Sequence, residues 1–140
     1  EAASRGAASV LLLEREPRLA ASLRESATRL HAEAVQVECV DALAWLSRPP
    51  RTRFDLVFLD PPFDAGLHAA AAQAVQPWLA AQAWVYVELA KSAAFTPPQA
   101  WRLHRESATS EARHLLFRVE SGAGAGTLAS TNHGPGTPPA

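Results

Sequence analysis

Apolar positions along this chain change period several times, and each change marks an element. Ser9-Val10-Leu11-Leu12-Leu13-Glu14 is a short, continuously apolar run, the pattern of a strand buried on both faces of a parallel sheet. Pro17 suits the first turn of a helix, and Leu19, Leu23, Ala27 and Leu30 then recur at helical spacing down to His31. A second strand is predicted over Val35–Val40 and a short helix over Asp41–Ser47, ended by Arg48-Pro49-Pro50, since proline removes a donor and clashes with the preceding turn. Phe54–Leu59 makes a third apolar strand, stopped by Asp60-Pro61-Pro62. A helix over Leu67–Val75 and a strand over Ala83–Glu88 follow. Beyond Pro97-Pro98, strands over Trp101–Glu106 and Arg113–Val119 are close enough to pair as an antiparallel hairpin.

Strands alternating with helices and closed by a hairpin predict an α/β fold: a doubly wound, Rossmann-like sheet with helices on both faces and an antiparallel edge. Ligands of such sheets bind outside the carboxyl ends of the strands. That rule selects Glu14, Asp41 and Asp60, each standing where an apolar strand gives out.

Composition narrows the setting. The chain has 140 residues, 48% hydrophobic and 19% charged, the balance of one globular domain. No run reaches the roughly 18 apolar residues that a membrane span needs, and the start carries no signal-like segment, so a cytoplasmic protein without a membrane partner is expected. The net charge of -1 gives no global electrostatic case for nucleic acid. The one cysteine, Cys39, lies among Val35, Val37 and Val40 and reads as a buried strand thiol. The five histidines show no metal-ligand spacing, so no metal is expected. Arg48, Arg51, Arg53, Arg102, His104 and Arg105 read as solvated faces, and Trp45, Trp78, Trp84 and Trp101 as core or core edge. With no methionine and a start at Glu1 inside what reads as the end of a helix capped by Gly6, the chain is expected to be a piece of a longer protein, acting as a monomer. Residues 1–120 form the expected domain. Residues 121–140 hold no charged residue and one leucine among Gly, Pro, Ser and Thr, a composition that predicts a disordered tail.

Asp60-Pro61-Pro62-Phe63 is the most informative stretch, because two consecutive prolines fix a stiff turn at a strand end. The exocyclic amine of a purine is a poor nucleophile, its lone pair being delocalised into the ring, and it reacts only if held with that lone pair aimed at an electrophile. The Asp60 carboxylate and the Pro61 carbonyl can accept its two N–H bonds while Phe63 offers a face for the base to stack on. Glu14, two residues before Pro17, stands where a nucleoside-binding fold places an acid to accept from ribose hydroxyls; Glu16 is the better placed of the two to favour the helix start. Asp41 can cap its short helix or accept from an adenine amine.

These stretches resemble the RsmD family of 16S ribosomal RNA guanine-N2 methyltransferases, within the class I S-adenosylmethionine-dependent fold. The likeness runs from Glu1 to about Val119. It rests on Glu1-Ala2-Ala3-Ser4-Arg5-Gly6-Ala7-Ala8, Leu13-Glu14-Arg15-Glu16, Asp60-Pro61-Pro62-Phe63 with Gly66-Leu67, Trp84-Val85-Tyr86-Val87-Glu88, and Trp101-Arg102-Leu103-His104-Arg105-Glu106. Asp-Pro-Pro-Phe alone is shared with adenine-N6 methyltransferases of DNA and RNA; Gly66-Leu67 and the two late strands favour RsmD.

The resemblance implies methyl transfer from S-adenosylmethionine to N2 of one guanine, number 966 in the usual bacterial numbering, of 16S rRNA or of a small-subunit assembly intermediate. It implies Glu14 on the ribose, Asp41 near the adenine and Asp60, Pro61, Pro62 and Phe63 at the target base. The family's first strand and its glycine-rich cofactor loop have no counterpart here: five of seven glycines fall in the last twenty residues, leaving Gly6 and Gly66. A gap in the sheet and an incomplete cofactor pocket are therefore expected, and a non-catalytic fragment is the alternative of a different class.

Overall fold

A computed structural model of the chain describes residues 5–60 and 65–120, with the side chains of residues 65 and 66 left aside. They fall into two compact units that divide between Pro49 and Pro50. The residues expected to form a tail, 121–140, and Pro61, Pro62 and Phe63 lie outside the described residues.

The first unit is a β-α-β-α run: β1 (Val10–Glu14), α1 (Pro17–Arg29), β2 (Val35–Cys39) and α2 (Ala42–Leu46). β1 and β2 pair in parallel from Val10 opposite Val35 to Glu14 opposite Cys39. The Val40 N–H adds one more rung by donating to the Glu14 carbonyl at 3.1 Å. Glu16 caps α1, its carboxylate accepting from the Arg18 N–H at 3.4 Å, and Pro17 supplies the first helical φ. At the other end His31 takes a left-handed φ of 51°. The Ala32 N–H then reaches the Ala27 carbonyl at 2.8 Å and the His31 N–H the Thr28 carbonyl at 3.1 Å, the paired bonds of a Schellman ending.

Two expectations about burial need correction here. The line of α1 that packs on β1 and β2 runs through fully buried Ala20 and half-buried Ala27, with Arg24 between them donating to the Val37 carbonyl from Nε and Nη2 at 3.4 and 3.2 Å. The leucine stripe lies to one side of that line, so Leu19, Leu23 and Leu30 are exposed and β1 is half-buried throughout. Cys39 is exposed as well. It shares its face of the sheet with buried Val37, but closes the strand, next to the β1–α1 loop. Its Sγ–H donates to the Arg15 carbonyl at 3.6 Å.

The second unit holds β3 (Phe54–Leu59), α3 (Ala65–Val75), a 3-10 turn (Gln76–Trp78), β4 (Leu79–Ala90), β5 (Trp101–Ala108) and β6 (Ala112–Glu120). The strand order is β3-β4-β6-β5. β3 and β4 run parallel; β4–β6 and β5–β6 are antiparallel, so the hairpin predicted from the sequence forms the edge. β4 starts four residues earlier than its apolar alternation suggests, because the 3-10 turn at Gln76-Pro77-Trp78 feeds straight into it. The described strands thus make two hydrogen-bonded sheets, β1-β2 and β3-β4-β6-β5.

Alternation along β4 decides which face of this sheet is core. Ala83, Val85, Val87 and Leu89 point one way and are buried with Leu115, Phe117 and Val119 of β6. Phe117 meets Phe95 and Trp101 at ring separations of 5.9 and 5.6 Å. Trp84, Tyr86 and Glu88 point the other way and are half-buried. On the neighbouring edge strand the same face leaves Leu56 45% and Phe58 58% exposed. Among the described residues no helix is long and apolar enough to cross a membrane.

Candidate active site

In the first unit, parallel pairing sets Glu14 and Asp41 at the same end of the sheet, since Glu14 closes β1 and Asp41 follows Cys39, its register partner, by two residues. Glu14 is half-buried and turns one carboxylate oxygen back to accept the Glu16 N–H at 3.0 Å, which fixes the side chain at the mouth of the β1–α1 loop. Asp41 is exposed and caps α2, accepting the Ala44 N–H at 3.3 Å. The capping role open to Asp41 is therefore realised, and a carboxylate with four lone-pair sites keeps capacity for a second donor. Two acceptors on adjacent strand ends suit a molecule that presents hydroxyl and amine donors, as a nucleoside does.

The second unit places Asp60 directly after β3, exposed, at the carboxyl end of the strand. Leu59 is paired with Val87, so Asp60 and Glu88 are the next residues on two adjacent parallel strands. On the same face, one step back, Tyr86 stands opposite Phe58, whose ring meets it edge-on at 5.7 Å. The Tyr86 hydroxyl shares a 2.6 Å hydrogen bond with Nδ1 of His114, and the two rings stack at 5.9 Å. His114 is itself the register partner of Glu88. Burial first, then the nearby carboxylates of Glu88 and Asp60, push the Tyr86 phenol above its ordinary pKa.

Glu88 is also gripped from the buried face. His68 of α3, 5% exposed, donates its Nε2–H to the Glu88 carbonyl at 2.6 Å, while its buried Nδ1 has no partner among the described residues. The helix that follows the Asp60 loop is thereby tied to the strand that carries Glu88.

Sequence reasoning singled out Glu14, Asp41 and Asp60 from strand ends and treated Tyr86 and Glu88 only as part of a matching stretch. The signal it passed over is the polar alternation Trp84-Tyr86-Glu88, which sets these side chains on the face opposite the core. His114 could be found only through the pairing of β6 with β4. A cavity of about 510 Å³ in the first unit, lined by Arg24, Thr28, His31 and Val35 among others, lies toward the opposite end of β2 from Asp41 and away from both carboxylates. Among the described residues no group of three or more His, Cys, Asp or Glu side chains is arranged to hold a metal ion.

Residues 1–118 match the family described as conserved hypothetical protein 95. The chain belongs to this family, the RsmD family. Among its members, the Haemophilus influenzae protein named ribosomal RNA small subunit methyltransferase D is 32% identical over 123 residues, which are 84% of this chain and 64% of that protein. The Escherichia coli protein of the same name is 32% identical over 124 residues, 86% of this chain and 62% of that one. The chain thus spans somewhat less than two thirds of the length of the curated RsmD relatives it matches. The solved structure of the Escherichia coli protein yhhF superposes with a TM-score of 0.81 at 31% identity, over 87% of this chain and 68% of that one. The fold is the Rossmann-like one of class I methyltransferases.

Proposed function

We propose that this chain carries the catalytic centre of an RNA methyltransferase that moves a methyl group from S-adenosylmethionine to the exocyclic N2 of a guanine in 16S rRNA, as free RNA or within a small-subunit assembly intermediate. One observation carries the reading: Asp60 stands at the open carboxyl end of β3, ahead of Pro61-Pro62-Phe63, with aromatic and carboxylate neighbours on its own face of the sheet. The names of the RsmD relatives support the ribosomal RNA substrate.

Glu14 and Asp41 are the residues that would hold the cofactor, Glu14 at the ribose hydroxyls and Asp41 at the adenine amine; their acceptor-only chemistry fits those donors. Bound there, S-adenosylmethionine would supply a methyl group activated by its sulfonium, whose sulfur would leave as a neutral thioether when the methyl–sulfur bond breaks. The chain's own part is positioning. Asp60 and the Pro61 carbonyl would accept the two N–H bonds of the amine and so fix the direction of its lone pair, and Phe63 would stack on the base. As the new N–C bond forms, the nitrogen sheds one proton, and the Asp60 carboxylate is there to accept it.

The test is transfer of labelled methyl by the full-length protein from S-adenosylmethionine to undermethylated small ribosomal subunits, 16S rRNA and duplex DNA. Label on N2 of one 16S guanine is the expected result. Label on adenine N6 of DNA would replace this reading with that of an adenine methyltransferase, and no label on any of the three would overturn it.

A further inference from the structure

The geometry points to Glu88 as the residue that makes this site select guanine over bases whose amine has a different neighbour, by accepting the guanine N1–H beside the N2 amine held at Asp60. The inference rests on the reading of Asp60 as the carboxylate at the target base, and goes on to say how that base is recognised.

Its first ground is register. Leu59 and Val87 are partners, so Asp60 and Glu88 are consecutive acceptors across two neighbouring parallel strands, and β4 alternation turns Glu88 away from the core with Tyr86. A second ground is that Glu88 is held in place. His68 donates to its carbonyl at 2.6 Å from the buried face, and its register partner His114 is anchored to Tyr86 by the 2.6 Å hydrogen bond and the ring stack. The Tyr86 phenol, raised first by burial and then by Glu88 and Asp60, lies within electrostatic reach of both carboxylates.

The third ground is the chemistry of base edges. Guanine presents two adjacent donors, N1–H and the N2 amine, whereas adenine presents an amine beside the N1 lone pair. Paired carboxylates accept from the first edge and face a lone pair on the second, leaving an ionised group unpaired in a partly buried site. Asp60 alone does not discriminate, because both edges offer it an amine. Glu88 does.

Small ribosomal subunits reconstituted around 16S rRNA with guanine or 2-aminopurine at the methylated position separate the ideas. 2-Aminopurine keeps the amine on C2 but has a lone pair where guanine has N1–H, and also lacks O6. The full-length protein is expected to favour guanine by roughly 10- to 100-fold in kcat/KM, the range that a well-placed base contact gives. In Glu88→Gln, whose amide can donate to the lone pair, that ratio should fall to within about threefold, a drop of at least a few-fold on the same scale. The ratio is internal to each protein, so partial unfolding of the variant cancels. Equal rates on the two bases with wild-type protein, or an unchanged ratio in Glu88→Gln, would overturn the role of Glu88 while leaving methyl transfer intact. Methylation of neither base by wild-type protein would instead overturn the reading of Asp60, and this inference with it.

Discussion

Replacing His68 by alanine should cost the second unit about 3 kcal/mol, and replacing it by leucine less than about 1 kcal/mol. The imidazole is 5% exposed and its ring lies edge-on to Phe95 at 6.4 Å. Truncation to alanine removes those contacts and leaves a void, for which large-to-small core changes set a range of about 2–5 kcal/mol. The hydrogen-bond terms oppose one another. Loss of the Nε2–H bond orphans the Glu88 carbonyl, at about 1–3 kcal/mol, but removing the ring also removes Nδ1, a buried acceptor with no partner among the described residues, which carries a similar penalty. Leucine fills the space and inherits only the near-cancelling polar terms. Urea unfolding followed by tryptophan fluorescence, to which Trp78, Trp84 and Trp101 of this unit contribute beside Trp45, reads the difference. A leucine variant as unstable as the alanine one would show that the bond to Glu88, not packing, dominates. An alanine variant within about 1 kcal/mol of wild type, against the usual range for such truncations, would refute the reasoning altogether.

Three further outcomes follow from single residues. Glu14→Ala should weaken S-adenosylmethionine binding about 10-fold or more in a calorimetric titration, as loss of a hydrogen bond to a charged acceptor does; unchanged affinity would remove Glu14 from the cofactor site. Tyr86 is the one tyrosine of the chain, so its phenolate absorbance titrates alone. Because burial and then Glu88 and Asp60 raise its pKa, the folded protein should keep that proton above pH ~10, where the unfolded chain loses it. Stability should accordingly fall as pH rises past that value, less steeply in Tyr86→Phe; a native midpoint at or below the unfolded one would contradict the sign. Cys39, the one thiol, should react with Ellman's reagent in native buffer, and a need for denaturant would contradict its exposure.

The course of the backbone was legible in the sequence because apolar period reports local geometry. β2, α2 and β3 fall within a residue of their predicted bounds, and the closing hairpin pairs as expected. Burial was less legible, since period does not say which face is covered. Leu19 and Leu23 recur at helical spacing, yet α1 seats itself by the small Ala20, which allows close approach, and by the Arg24 bond to Val37. Cys39 shares a face with Val37 but is the last residue of its strand and is exposed. The carboxylates at strand ends could be selected because a strand end is a local feature. Tyr86 and Glu88 showed in the sequence only as the polar side of an alternating strand; that they stand near Asp60 with His114 is set by the register of β4 with β3 and β6, which are far apart in sequence.

The most direct test of the account is single-turnover methylation of small ribosomal subunits by Asp60→Ala in the full-length protein, beside a titration of the same variant with S-adenosylmethionine. Asp60 is assigned to the amine and the cofactor to Glu14 and Asp41, so the variant should bind S-adenosylmethionine as wild type does. Its rate should fall about 100- to 1,000-fold, the loss expected when a preorganised group at the reacting atom is removed. A variant that keeps more than about a tenth of the wild-type rate, against the loss that principle sets, would make Asp60 a structural turn residue and contradict the assignment on which the account stands.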